Sequence, residues 1–389
     1  MHTAKRPWVA AFLLLAMVFL SAIFAVQGAL LSAMIDAYDL KAAEQGVASA
    51  LSFAGGIAAL VTAFFLQGRQ RKRTLLKGAM LVCAAGLVLL WLAPGYGLYS
   101  AVWFVVGFGL GLMDTLLSAC MADLYSGDAA TRMMCLLHTA FGVASMLTPM
   151  GYAALLSGGM NWKRVYLVIA LGGVALLAAA AVLRRVLKIV DTEPLQANTV
   201  SPASIASGLA GSRLALLAAA MLFHGLFLAG LNTWSNRYAD TLPGDFAIPA
   251  QSCLFLGIML SRLLFPFLPI KAGRYVRFAG LLGCVLLAAG LYLGNGLVLR
   301  VALALSGLTF GALIPCILSL GCDRQRGNTL LATTTMVLSL YVGQSFSSPM
   351  IAGLEAAFNL RTGMTLCVVC MALCSVCCWV DQSRYGKAE

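Results

Sequence analysis

The chain has 389 residues, of which 61% are hydrophobic and only 10% charged, with 26 Lys and Arg against 14 Asp and Glu. Soluble domains carry about 25% charged residues, so this composition excludes an ordinary soluble enzyme and specifies a polytopic membrane protein. The formal net charge of +12 therefore bears on orientation in the bilayer rather than on a nucleic-acid partner.

The basic segment MHTAKRPW leads into an apolar run from Val9 to Met34. A secretory signal has an apolar core of roughly 7–15 residues, so this longer run reads as a retained first span. Apolar runs broken by charge or turn clusters then place the first six spans near 8–34, 45–66, 75–93, 97–122, 133–156 and 164–187. The second six fall near 213–238, 248–269, 275–294, 297–320, 328–357 and 361–380. The expected fold is all-α and integral to the membrane, with twelve transmembrane helices. An N-terminal half over 1–187 and a C-terminal half over 213–389 flank a polar linker at 188–212, rich in Ser, Thr, Pro and Asn.

The positive charges test this topology. Lys41, Lys163, Arg164, Arg237, Arg300 and Arg361 fall in loops on one side and Arg262 falls within a span, while the other side and the termini hold the rest. Positive residues are retained on the cytoplasmic side, so both termini are expected in the cytoplasm of a cell (inner) membrane protein. Comparing the chain with itself about 200 residues along pairs Tyr38 with Tyr238, Lys77 with Arg277, Gly107 with Gly307, Gly111 with Gly311 and Asp123 with Asp323. Two pseudo-symmetric six-helix halves follow from that register.

The ionisable residues inside spans are the functional candidates. Gly107, Gly111, Asp114 and Ser118 share one face of the fourth span, and His138, Gly142, Ser145 and Pro149 share a face of the fifth. A charge at the bilayer centre costs at least about 2.5–3.5 kcal/mol, which makes Asp114, the only carboxylate deep in a predicted span, a site candidate. His138 is expected at a similar depth on the neighbouring helix, so the two are assigned as a proton-coupling pair.

In the seventh span, FHGLFLAGLNTWSNRYAD sets His224, Asn232 and Trp234 along one helix. Amide and indole groups in an apolar pocket suit a sugar-like ligand, so these three are assigned to substrate binding, with Gln27 and Gln344 as further amides. Trp234 equally fits an interfacial anchor, and lone amides equally fit glue between helices. Arg262 lies within snorkelling reach of the membrane surface and is read as a structural charge. The 12 cysteines, five of them on the last span from Cys367 to Cys378, read as small apolar packing groups rather than a metal site.

As a whole the chain resembles the major facilitator superfamily. GLGLMDTLLSACMADL followed by RMMCLLHTAFGVASML is similar to helices four and five of its fucose-permease-like branch, which includes proton-coupled sugar importers. The resemblance implies that Asp114 belongs to the substrate and proton pathway and that the seventh helix lines a central cavity. Two departures stand out. The loop FFLQGRQRKRTLLKG keeps only the basic end of the superfamily's signature, with Gly68 where an acidic residue is usual. Helix one carries Gln27 where several sugar importers have a carboxylate.

There is no nucleotide-cradling loop, nucleophile elbow or HExxH motif, so no enzyme, cofactor or ATP-driven pump is expected. The function expected is secondary active transport of a small polar solute, sugar-like or another small metabolite, by alternating access and proton symport through Asp114. Efflux by drug or metabolite:proton antiport is the competing reading, because ASMLTPMGY carries Pro149 but not the Gly that precedes Pro in the antiporter signature. A non-transporting membrane sensor is disfavoured by the duplicated layout and by the absence of a soluble output domain. The expected partners are the solute, the proton and the lipid bilayer, with the chain a monomer and no nucleic acid bound.

Overall fold

The computed structural model describes residues 6–66, 72–124, 127–183, 214–244, 246–268, 270–324 and 329–385. The linker assigned to 188–212 lies outside these residues, as do both extreme termini and the Gly68–Arg71 part of the basic loop. Every regular element described is helical.

Helices α1 (Arg6–Ala29) and α2 (Leu31–Tyr38) form the first span. They are joined by helical hydrogen bonds from Leu30 N–H to Val26 O and from Met34 N–H to Leu30 O. Asp39 ends the span in the left-handed region at φ 48°, a conformation that a short polar side chain tolerates better than most. Helices α3 (Val47–Leu66), α4 (Lys72–Leu92), α5 (Tyr96–Leu124), α6 (Gly127–Ser157) and α7 (Arg164–Val182) follow. The remainder comprises α8 (Ala215–Asp240), α9 (Ala250–Leu264), α10 (Ala272–Tyr292), α11 (Gly296–Phe310), α12 (Leu313–Arg324), α13 (Thr329–Ala357) and α14 (Leu360–Tyr385).

Ten of the described helical segments are long and apolar enough to cross a membrane. The other two spans are the shorter α9, extended by a 3₁₀ turn at Phe265–Phe267, and α13, whose Thr, Ser and Gln side chains lower its hydropathy. The tenth span, expected as one helix over 297–320, is instead broken at Gly311–Ala312 into α11 and α12. The cause is Pro315, which has no N–H to offer the Gly311 carbonyl four residues back.

The chain divides into two compact units, Met1–Tyr38 with Leu51–Ala197, and Asp39–Ala50 with Asn198–Glu389. In the first unit α1 packs on α5, α6 and α7. Ser21 Oγ donates to Phe141 O at 2.8 Å and Tyr152 OH to Ala22 O at 2.9 Å, fastening α1 to α6. Glycines set the α3–α5 approach, since a Cβ built on Gly55 would fall on the Phe104 carbonyl oxygen and one on Gly107 on that of Ser52.

In the second unit α8 packs on α9, α13 and α14, and α10 packs on α11, α12 and α14. Glycines repeat their role where α9 meets α11, since a Cβ built on Gly257 would fall on the Ala304 carbonyl oxygen and one on Gly307 would lie 2.5 Å from that of Leu254. The duplication is thus visible as geometry. Tyr38 OH donates to Ala93 O at 3.3 Å, and Tyr238 OH donates to Leu291 O at 2.6 Å. Asn161 Oδ1 accepts from Lys163 N–H in the turn ahead of α7, and Asn359 caps α14 by accepting from Thr362 N–H. The segment before α3 belongs to this unit, with Gly46 seated on the Ser348–Pro349 backbone and Ser49 Oγ 3.3 Å from Thr233 Oγ1.

Candidate functional site

Two regions hold the ionisable and amide groups singled out from sequence, one in each unit. In the first, Asp114 lies half-buried on α5 and His138 is exposed on α6, helices that pack on each other. The small residues beside Asp114 seat α3, because a Cβ on Gly111 would come within 2.9 Å of Gly56 Cα and 3.1 Å of Ala59 Cβ. The stripe that drew attention to Asp114 is therefore helix-packing surface, and the carboxylate stands at its edge. Gln27 on α1 is half-buried, with its Nε2 enclosed and lacking a hydrogen-bond partner among the described residues.

In the second unit three amides form a chain across α8 and the start of α9. Gln251 is the second residue of α9, so its backbone N–H has no partner within that helix, and Pro249 ahead of it makes no side-chain cap. Asn236 Oδ1 accepts from that N–H at 2.9 Å, and Asn236 Nδ2 donates to Gln251 Oε1 at 3.2 Å. Gln251 Nε2 then donates to Asn232 Oδ1 at 2.8 Å. Asn232 and Gln251 are both fully buried, and Asn232 Nδ2 has no hydrogen-bond partner among the described residues.

The other candidates of α8 are engaged differently. Trp234 is fully buried and its Nε1 donates to Ser348 Oγ of α13 at 3.1 Å. His224 is buried against Phe227 and Phe310, with ring centroids 4.6 and 6.1 Å away. Gln344 is buried at the α8–α13 crossing, where a Cβ on Gly225 would lie 3.1 Å from its backbone nitrogen.

The family model of the Major Facilitator Superfamily matches residues 12–334. The chain belongs to this superfamily. The fold agrees with solved structures at low identity. One is a bacterial homologue of the human lysosomal transporter Spinster, inward-facing and occupied, at TM-score 0.76 and 14% identity, covering 98% of this chain and 97% of that one. Another is the E. coli fucose:proton symporter, at 0.64 and 18%, covering 97% and 99%. A third is the human organic anion transporter MFSD10, at 0.70 and 14%, covering 97% and 99%. No curated protein matches the chain in sequence.

Within this superfamily member, Arg262 lies against the break between α11 and α12. Its Nε donates to Gly311 O at 3.1 Å, the carbonyl that Pro315 leaves without a helical partner. Ser261 Oγ and Tyr275 OH both accept from Ala312 N–H at 3.2 Å. Arg262 thus meets the backbone where α11 and α12 part.

Asp114 is also not the one acidic group enclosed among the spans. Asp381 on α14 is fully buried, and both its oxygens are engaged by the Arg324 guanidinium of α12. Gln382 Nε2 donates to the same carboxylate at 2.9 Å, and Arg277 donates to Gln382 O at 3.0 Å. Glu355 on α13, its side chain 14% exposed, pairs with Arg237 of α8 at 3.7 Å. The span boundaries near Tyr238 and Val380 had put Arg237 and Asp381 at or beyond the ends of spans, which hid both pairs.

Proposed function

We propose that this superfamily member is a secondary active transporter that moves a small polar solute by alternating access, coupled to protons in symport. The observation that carries this reading is a half-buried carboxylate, Asp114, on a membrane-spanning helix of a major facilitator fold. An acidic group at membrane depth is retained for a task that offsets its cost, and proton carriage is a task a carboxylate performs there. His138, on the helix that packs beside α5, serves as its coupling partner. The likeness in fold to a fucose:proton symporter supports the same chemistry.

Asn232 supplies the solute contact from α8, with Gln27 and Gln344 as further amides. Trp234, His224 and Arg262 hold helices together through Ser348, Phe310 and Gly311. The protein works as a monomer in the cell membrane with both termini cytoplasmic.

The test uses proteoliposomes loaded with a pH-sensitive dye and offered a panel of sugars and small metabolites. Symport acidifies the lumen when a transported solute is added outside, whereas antiport drives the lumen alkaline. Asp114→Asn should keep solute exchange and lose accumulation under a pH difference. Accumulation retained by the Asn variant would remove Asp114 from the coupling role.

A further inference from the structure

An amide side chain offers either a donor or an acceptor, depending on which way its terminal group is turned, and coordinates alone rarely settle the choice. Here one group in the chain has no choice. The backbone N–H of Gln251 can only donate, so the Asn236 atom 2.9 Å from it must be oxygen. Asn236 then presents its NH₂ to Gln251, whose facing atom must be oxygen. Gln251 consequently presents its own NH₂ to Asn232, whose facing atom is again oxygen. The orientation runs from a helix start through three side chains and ends at Asn232 Nδ2, a buried donor with no partner among the described residues. A buried donor left unmade costs about 1–3 kcal/mol, so the position calls for an acceptor from outside the protein.

We propose that Gln251 is a specificity-determining residue: it fixes Asn232 as a pure donor, so that this site takes a solute through a lone-pair oxygen such as a carbonyl, ether or hydroxyl oxygen. This rests on the reading of Asn232 as the solute contact. A group with hydrogens to give and no lone pair is refused, because no acceptor faces it. Neither Gln251 nor Asn236 needs to touch the solute, and each acts by holding the polarity of its neighbour. Two isosteric substitutions reverse the chain. Gln251→Glu can no longer donate, so Asn232 turns its NH₂ inward and leaves its oxygen free. Asn236→Asp still accepts from the Gln251 N–H but also accepts from its side chain, which turns Gln251 and then Asn232 in the same sense.

The experiment follows the Asn232 side-chain amide by solid-state NMR, using the full chain labelled with ¹⁵N-asparagine in lipid nanodiscs. Asn232→Leu assigns the signal. Acetone serves as an acceptor-only probe and pyrrole as a donor-only probe. In the wild-type protein acetone should move the Asn232 signal and pyrrole should leave it unchanged. In Gln251→Glu and in Asn236→Asp the response to acetone should weaken by about two- to tenfold, the loss of one neutral hydrogen bond, and a response to pyrrole should appear. If one variant fails to fold, the other carries the same prediction. A wild-type signal indifferent to acetone, or variants that respond as the wild type does, would overturn the proposal. Transport is read separately, so failure of the proton-coupling reading leaves this outcome distinguishable.

Discussion

Arg262 shows how a single side chain compensates a backbone defect. Pro315 cannot donate to Gly311 O, and the Arg262 guanidinium donates in its place. Arg262→Leu should therefore destabilise the protein by about 1–3 kcal/mol, the cost of an orphaned buried carbonyl together with lost stem packing. In a Pro315→Ala background the restored N–H can close the helical bond itself, so the same substitution should cost clearly less. Thermal unfolding of the four proteins in detergent forms a double-mutant cycle, and equal costs in both backgrounds would break the link. Neither residue alone announces this relation in the sequence. Pro315 lies inside an apolar run, and its partner is separated from it by the whole of α10 and α11.

Among elements, α12 and α14 are tied by a charged pair with a fully buried carboxylate. Arg324 engages both oxygens of a fully buried Asp381, and its guanidinium also lies 5.1 Å from the centre of the Tyr385 ring. Removing one member leaves an uncompensated buried charge, so Asp381→Leu should cost about 3–5 kcal/mol. Replacing both, as Arg324→Met with Asp381→Leu, should recover most of that loss. The check is again the midpoint of thermal unfolding. A double variant as unstable as the single one would mean that the pair contributes more than mutual neutralisation. Hydropathy made the helices legible because each span must bury its backbone bonds within one continuous run. It could not reveal this pair, since Arg324 and Asp381 lie far apart in the chain and meet only through packing. The same holds for the amide chain, where Asn232 was readable as a polar residue in a span but nothing in the sequence joined it to Gln251, near the start of the span at 248–269.

At the scale of the molecule, the internal duplication was legible as a register of matching residues, and the structure gives the reason it persists. Gly107 and Gly307 each sit against a backbone carbonyl of the neighbouring helix, where any Cβ would collide, so drift at these positions is restrained in both halves. Asp123 and Asp323 match in the same register, and their side chains lie outside the described residues. What the register could not show is where the compact units divide. Asp39–Ala50 packs with the second unit although it precedes the rest of the first, so the division runs through α3 between Ala50 and Leu51. This carries a consequence for gene fragments. A chain cut at the linker delivers a C-terminal piece that lacks the segment seated on Ser348–Pro349 and beside Thr233. Expressed alone, residues 213–389 should be degraded more readily in limited proteolysis than when co-expressed with residues 1–187. Co-expression with a first fragment carrying Gly46→Trp, which cannot take that seat, should fail to protect it. A cut in the linker therefore severs only one of the three points at which the chain passes from one unit to the other.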